Sequence, residues 1–414
     1  APVFSRVARA RKKTPVQAWV LANRTGWKSF LAAMIGAVGV FGLGTIRAVR
    51  LWLSRFDLAR RAHAYLFKRE LDRLAGGKGK RDTRPLDAAA FEALCPDVSS
   101  DVRIACDADE TIAVLAARVS ERRGGVIAIV GARGMGKSTT LRELVRACPG
   151  ARAVQGDTVD QTRALFAEAS DAPPLVALDD AQGLVRPVIG GLERFDDLLS
   201  FARANSAHTL WVLAIDAALW PLIQRARDGR PLFERVVTLA PWDERQIGAL
   251  LAERSAGAGV KASFEDLLET LPLSADEIDH QDALAAREEG YVRMLWDHVR
   301  GNPGMALEAW RASLSDGASG TAHVRALQVP DATPLEVLPD SALFILRAVL
   351  QLAPARPEDV AAATRVGIDQ VVGALRYGEA QGYLTESDGR VRVTWRWLRP
   401  IMRLLERRHL LVPS

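Results

Sequence analysis

Hydrophobic and polar positions divide the chain into stretches of different kinds. From Ser29 to Ile46 there are 18 consecutive residues without a charge (SFLAAMIGAVGVFGLGTI). Residues 47–75 then carry a helical pattern, with Leu51, Phe56, Leu66 and Leu74 set among arginines. The middle of the chain changes character. Val126–Val130, Leu175–Leu178 and Leu210–Ile215 are short, continuous apolar runs that end in Gly or Asp. Runs of that length bounded by turn residues predict buried strands, and the helix-forming stretches 108–122 before the first and 139–145 after it predict an α/β core. Residues 244–312 are mostly helical by pattern, and 271–289, acidic and polar, predict a mobile loop. After a Gly/Ser/Pro-punctuated linker over 315–334, residues 341–353, 357–364 and 369–381 predict three helices. Residues 383–394 predict two strands around Ser387-Asp-Gly389, so the order helix–helix–helix–hairpin suggests a winged helix. The boundaries drawn from this are a basic segment 1–28, a transmembrane helix 29–46, a juxtamembrane helix and linker 47–100, an α/β core 101–255, a helical lid 256–333 and a winged helix 334–414.

The uncharged run sits at the short end of what spans a bilayer core, with Trp27 and Trp52 placed for the two interfaces. Small residues recur at helical spacing (Ala32 with Gly36, Ala33 with Ala37, then Gly39 and Gly42), a face that permits close helix–helix approach in lipid. A buried soluble helix competes, against the cost of its glycines in water. A cleaved signal peptide competes too, but Arg47 and Arg50 follow without a small-x-small site. A re-entrant segment is the third alternative. Both flanks are basic, so the positive-inside rule sets no orientation. Residues 47–75 are expected to lie along the membrane with their arginines on anionic lipid headgroups.

Charge sharpens the division. Residues 1–81 carry 18 Lys+Arg and 3 Asp+Glu, a net +15. Residues 82–334 carry 26 against 38, a net −12, and residues 335–414 carry 11 against 9, a net +2. The overall +5 therefore hides a basic arm on an otherwise acidic or neutral protein, not a uniformly basic nucleic-acid binder. Cys95, Cys106 and Cys148 fit no zinc spacing, and an odd number is no disulfide framework, so free thiols are expected. His280 and His298 have no metal-ligand neighbours at useful spacing.

The chemistry is concentrated in Gly131-Ala-Arg-Gly-Met-Gly-Lys-Ser138, between the strand 126–130 and the helix that opens at Thr139. This G-x-x-x-x-G-K-S pattern in strand–loop–helix context is a phosphate loop. Gly131, Gly134 and Gly136 let successive backbone N–H groups converge on one anion, and Arg133, Met135 and Thr139 complete the lining. The following helix turns its N-terminal partial positive charge to the same phosphates. Lys137 is expected to reach the terminal phosphates, and the Ser138 hydroxyl to bind Mg²⁺. Pro173-Pro-Leu-Val-Ala-Leu-Asp-Asp180 supplies the second requirement: Asp179 for Mg²⁺ and Asp180 to polarise the attacking water. Mg-ATP is the expected ligand. Asp216, at the end of the third strand, stands where related ATPases carry a polar residue that senses the γ-phosphate, but repulsion between carboxylate and phosphate makes a turn or helix cap its simpler role.

The order GARGMGKST, LVALDDAQ, LWVLAID, LFERVVTLAPWDERQIGALLAER and Gly301-Asn-Pro-Gly-Met-Ala-Leu-Glu308 resembles the AAA+/STAND branch of P-loop ATPases, near its archaeal and initiator-type members. The resemblance covers roughly 105–330 and extends to the C-terminal domain. It implies that Arg235, with Arg230 as the alternative, acts in trans on a neighbour's γ-phosphate, and that Pro303 lies where the lid approaches the base. Many such proteins carry a second sensing arginine where this chain has Gly304, which implies slow, switch-like hydrolysis.

In the C-terminal domain, Gln370, Arg376 and Gln381 on the third helix, with Arg390 and Arg392 on the wing, are the residues a DNA-binding role would use. The run Trp395–Arg403 is basic and suits an oligomer or membrane-facing surface. Together these features predict a membrane-anchored cytoplasmic ATPase, at the inner membrane, working as a homo-oligomer or as a subunit of a membrane complex. A DNA-binding ATPase or a non-hydrolysing scaffold are the alternatives.

Overall fold

The computed structural model describes residues 84–412, apart from 99, 157–162, 165, 167–171, 187, 228–229, 269–276 and 318–320. The expected transmembrane helix 29–46, with the segments 1–28 and 47–75 on either side, lies outside the described residues. Among those described, no helix is long and apolar enough to cross a membrane.

Among the described residues, two helices, α1 (Ala88–Ala93) and α2 (Asp107–Ser120), precede a parallel sheet of five strands. The strands are β1 (Gly125–Gly131), β2 (Arg152–Gln155), β3 (Leu175–Asp179), β4 (Leu210–Asp216) and β5 (Arg235–Thr238), in the order β2-β3-β4-β1-β5. Alternate residues of the central strands face opposite sides. Ile127, Ile129, Val212 and Ala214 pack with Ile112 and Leu115 of α2 and with Leu141 and Leu144 of α3 (Lys137–Ala147). Val126, Ala128, Val130, Leu213 and Ile215 pack on the other side with Phe195 and Leu198 of α4 (Glu193–Ala204) and Ile223 of α5 (Trp220–Ala226). Burial on both faces is why these strands read as unbroken apolar runs. The helix after β1 and the helix after β4 cover opposite faces, although the two strands are neighbours. Their carboxyl ends, where Gly131 stands opposite Asp216, therefore open the crevice that binds ligands in open α/β sheets.

The lid departs from expectation in several places. Helix α6 (Glu244–Gly257) begins with a reciprocal cap, Asp243 Oδ1 accepting from Gln246 N and Gln246 Oε1 from Asp243 N, both at 2.8 Å. Its Ile247, Leu250 and Leu251 pack not on the sheet but with Tyr291 and Leu295 of α7 (Glu277–Val299) and Trp310 of α8 (Pro303–Ser313). The α/β core therefore ends before residue 243, not at 255. The expected mobile loop is helical from Glu277 onwards, because Tyr291, Met294 and Leu295 further along the same helix anchor it. The expected linker 315–334 contains strand pairing: β6 (Lys261–Ser263), β8 (Thr321–Val324) and β7 (Leu314–Asp316) form a small sheet in that order. A short helix α9 (Thr333–Glu336) follows.

The C-terminal module has the predicted order: α10 (Asp340–Leu352), α11 (Pro357–Thr364), α12 (Ile368–Ala380) and an antiparallel hairpin of β9 (Leu384–Ser387) and β10 (Arg390–Val393). An Ala355–Val391 bridge adds a third rung. The run from Trp395 is not a free surface but a helix, α13 (Trp395–Arg407), which buries Leu398, Ile401, Leu404 and Leu405. Lid and C-terminal module share one continuous apolar cluster, separate from the two clusters that flank the sheet.

Candidate nucleotide site

The phosphate loop follows β1 directly. Gly134 (φ +86°) and Gly136 (φ +89°) take left-handed backbone, which only glycine adopts without strain. Gly131, in contrast, is the last residue of β1, and a Cβ there would meet only ordinary contacts at 3.4 Å, so its expected turning role falls to the other two. Gly136 is the N-cap of α3 and no side chain caps the helix. The N–H groups of the first turn have no intrahelical acceptor and open, with the helix's partial positive charge, on the crevice.

Lys137 is buried, 8 % exposed. Its Nζ donates to Gly131 O at 2.8 Å and Ala132 O at 3.2 Å and lies 3.3 Å from Asp216 Oδ2. The lysine thus rests on loop carbonyls and a carboxylate, partners that a phosphate can replace. Asp216 serves two ends, because its Oδ1 also accepts from Ala218 N at 2.9 Å and caps the turn after β4. Ser138 and Thr139 stand exposed at the mouth, while Met135 is buried beneath the loop.

Asp179 ends β3, and its Oδ1 accepts from Asp180 N at 2.9 Å. Asp180 takes a left-handed backbone (φ +51°) and accepts from Gln182 Nε2 at 2.6 Å. The surrounding protein, and after it the neighbouring Asp179 charge, raise the Asp180 carboxyl above the ordinary carboxylate range. A cleft of about 540 Å³ gathers Gly134, Lys137, Ser138, Asp180, Asp216 and Pro303 around one space. Ser138 and Asp179 are the hydroxyl and carboxylate that would hold a Mg²⁺ here. One or two protein oxygens are what that ion uses when substrate phosphates complete its shell. Among the described residues no larger cluster of metal-binding side chains exists.

Arg235 is not brought into this site. It pairs in register with Ile127, three positions before the Val130–Thr238 pair at the crevice end, so it lies roughly 10 Å down the strand. It is exposed on β5, at the edge of the sheet.

The lid closes the other wall. Asn302 caps α8 through Met305 N (2.9 Å) and donates from Nδ2 to Arg133 O at 2.8 Å. Gly304 N donates to Gly134 O at 3.0 Å. A Cβ on Gly304 would stand 2.8 Å from Gly134 Cα and 3.0 Å from the Trp395 ring, so backbone contact dictates glycine at this position.

Sequence reasoning missed Asp97 and Trp395 behind that wall, and what they do to Arg133 and Arg392. Arg133 Nη1 donates to Val393 O at 2.6 Å, and its guanidinium lies 4.0 Å from the centroid of the Trp395 ring. Trp395 Nε1 donates to Asp97 Oδ2 at 2.9 Å. Arg392, read from the sequence as a wing residue that a DNA-binding role would use, lines the cleft 3.8 Å from the same Asp97 oxygen. Burial pulls the Arg133 guanidinium below its ordinary value, opposed by the charge of Asp97. The signal for this cluster is absent from any local window, since Asp97 and Trp395 stand 298 positions apart.

Strand order, uncapped helix and lysine define the class: an α/β phosphate-loop fold with a helical lid and a C-terminal helix–hairpin module. No protein-family model and no curated protein matches the chain. Among solved structures it is similar to the ORC2 protein of Aeropyrum pernix, at 12% identity over 78% of this chain and 99% of that one, with a TM-score of 0.37. It is also similar to CDC6P from Pyrobaculum aerophilum (14% identity, 77% and 98% covered, TM-score 0.37). A third is the Aeropyrum pernix ORC1 protein in complex with DNA (16% identity, 77% and 97% covered, TM-score 0.33).

Proposed function

We propose that the chain is an ATPase that works as a nucleotide-operated switch. The observation that carries this is the uncapped first turn of α3, with Lys137 held on exchangeable oxygens and Asp180 across the same cleft. In this reading the loop N–H groups and Lys137 hold the phosphates, and Ser138 and Asp179 hold Mg²⁺, which neutralises phosphate charge when bound. Asp180 orients the attacking water and accepts its proton. The lid and C-terminal module share one core and touch the phosphate loop through Asn302, Gly304 and Trp395, which supports their moving as one body when nucleotide enters. Arg235, remote from its own site, is assigned to a neighbouring copy.

ATP binding and turnover of the full chain test this, alone and as Lys137→Ala, Asp180→Asn and Arg235→Ala. Binding lost in Lys137→Ala, and turnover lost but binding kept in the other two, is expected. Turnover indifferent to Lys137 overturns the proposal. Attachment to an inner membrane through residues 29–46 rests on the sequence, and flotation with liposomes before and after their deletion decides it.

Duplex DNA binding by the C-terminal module is a second reading, supported by Gln370, Arg376 and Gln381, all exposed on or just after α12. Arg392 leaves that surface for the cleft. Salt-dependent binding weakened by Arg376→Ala is the expected sign, and no binding at low salt removes this reading.

A further inference from the structure

Asp97 lies on the segment between α1 and α2, and a buried lid arginine shapes that segment. Arg254 Nη2 donates to Ala93 O (2.7 Å) and Cys95 O (3.0 Å), and Nη1 to Val98 O (3.4 Å). So held, one Asp97 oxygen accepts from Trp395 Nε1 at 2.9 Å and lies at ion-pair distance, 3.8 Å in each case, from Arg133 Nη2 and Arg392 Nη1. Arg133 belongs to the phosphate loop, and Arg392 to the wing of the C-terminal module.

Two guanidiniums facing one space repel each other, and an anion between them offsets that repulsion. The anion present is a half-exposed carboxylate at ion-pair distances too long for close bidentate contact. A polyphosphate carries more charge and more acceptor oxygens, and the cleft that binds it in the reading above already includes both arginines. Where the lid meets the phosphate loop, Gly304 leaves no room for a side chain.

From this we infer that Asp97 is an internal stand-in for nucleotide phosphate. A nucleoside triphosphate displaces it from Arg133 and Arg392, and the wing thereby reads whether the site is filled. The inference rests on the nucleotide site proposed above. It adds Arg392 as a phosphate-contacting residue and Asp97 as a competitor, so loading the site changes how the C-terminal module docks.

Binding of a fluorescent ATP analogue and of adenosine to the full chain tests it, as Asp97→Asn, Arg392→Gln and the double variant. Asn keeps an acceptor for Trp395 and removes the charge. Asp97→Asn is expected to tighten the ATP analogue several-fold and leave adenosine unchanged. Arg392→Gln is expected to weaken the analogue about tenfold, the size of one lost charged hydrogen bond. The double variant is expected to lose most of the gain from Asp97→Asn.

If the wild-type chain binds the analogue through Lys137 but Asp97→Asn does not tighten it, the stand-in role is overturned and the nucleotide site survives. No binding by the wild-type chain overturns both. Should Asp97→Asn melt early, Arg392→Gln alone decides, because undiminished ATP affinity in that variant removes the wing from the site.

Discussion

Gly304→Ala is the substitution that best tests the contact between lid and phosphate loop. A methyl group at that position would stand 2.8 Å from Gly134 Cα, 3.0 Å from Trp395 Cη2 and 3.1 Å from its Cζ3. The nearest atom is backbone in a loop whose φ values are already unusual, so the lid must lift. Overpacking of this kind costs about 1–3 kcal/mol. Lifting also stretches the 3.0 Å hydrogen bond from Gly304 N to Gly134 O, roughly a further 0.5–1.5 kcal/mol. Against this stands the helix preference for alanine, at most about 1 kcal/mol and less in a first turn. The balance is a loss of roughly 1–3 kcal/mol, read as a melting point about 2–8 °C lower. Gly248→Ala is the matched control. It lies inside α6, where the new Cβ finds Val292 at an ordinary 3.4 Å, so the helix preference acts alone and the melting point rises. Thermal melts of the three proteins, with ATP affinity measured alongside, complete the experiment. Weaker ATP binding is expected only in Gly304→Ala, because only there is the loop disturbed. A Gly304→Ala protein that melts at or above the wild type, while Gly248→Ala behaves as stated, refutes the reasoning.

Two further predictions concern charge. Asp180 has a folded-state pKa raised above its ordinary value, so the folded state favours its proton, and the stability it contributes is lost as pH rises through that raised value. Asp180→Asn is therefore expected to melt higher than the wild type at neutral pH. The gap should narrow in acid towards the part owed to asparagine's tolerance of φ +51°. Melts across pH check this, and a gap that does not change with pH contradicts it. Arg254→Met removes the donor to three backbone carbonyls from a residue only 7 % exposed. A loss of about 2–4 kcal/mol is expected in denaturant unfolding, and a loss under about 0.5 kcal/mol shows that the segment 93–98 does not need it.

What the sequence by itself determined is the set of elements whose cause is local. Glycine at positive φ, lysine at a helix start and an aspartate ending an apolar strand act within a few residues of one another. The phosphate loop, Asp179, Asp180 and the strands and helices near them were therefore legible. The helix–helix–helix–hairpin order of the C-terminal module was legible too, because Leu343, Leu346 and Leu350 in one segment and Val371 and Leu375 in another repeat with helical spacing, and Ser387-Asp-Gly389 marks the turn. The fate of polar stretches was not. Residues 277–289 look solvated and are helical because Tyr291 and Leu295 further along the helix are buried. Only the tertiary structure decided what surrounds the site. Arg392 turned from an outer wing to the cleft because Asp97 and Trp395 meet there, and Gly304 proved to be a packing requirement because α8 lies against Gly134. Hydrogen bonds and ion pairs act over a few ångströms of space whatever the separation along the chain, so the partners of Asp97 exist only once the sheet, lid and C-terminal module are assembled.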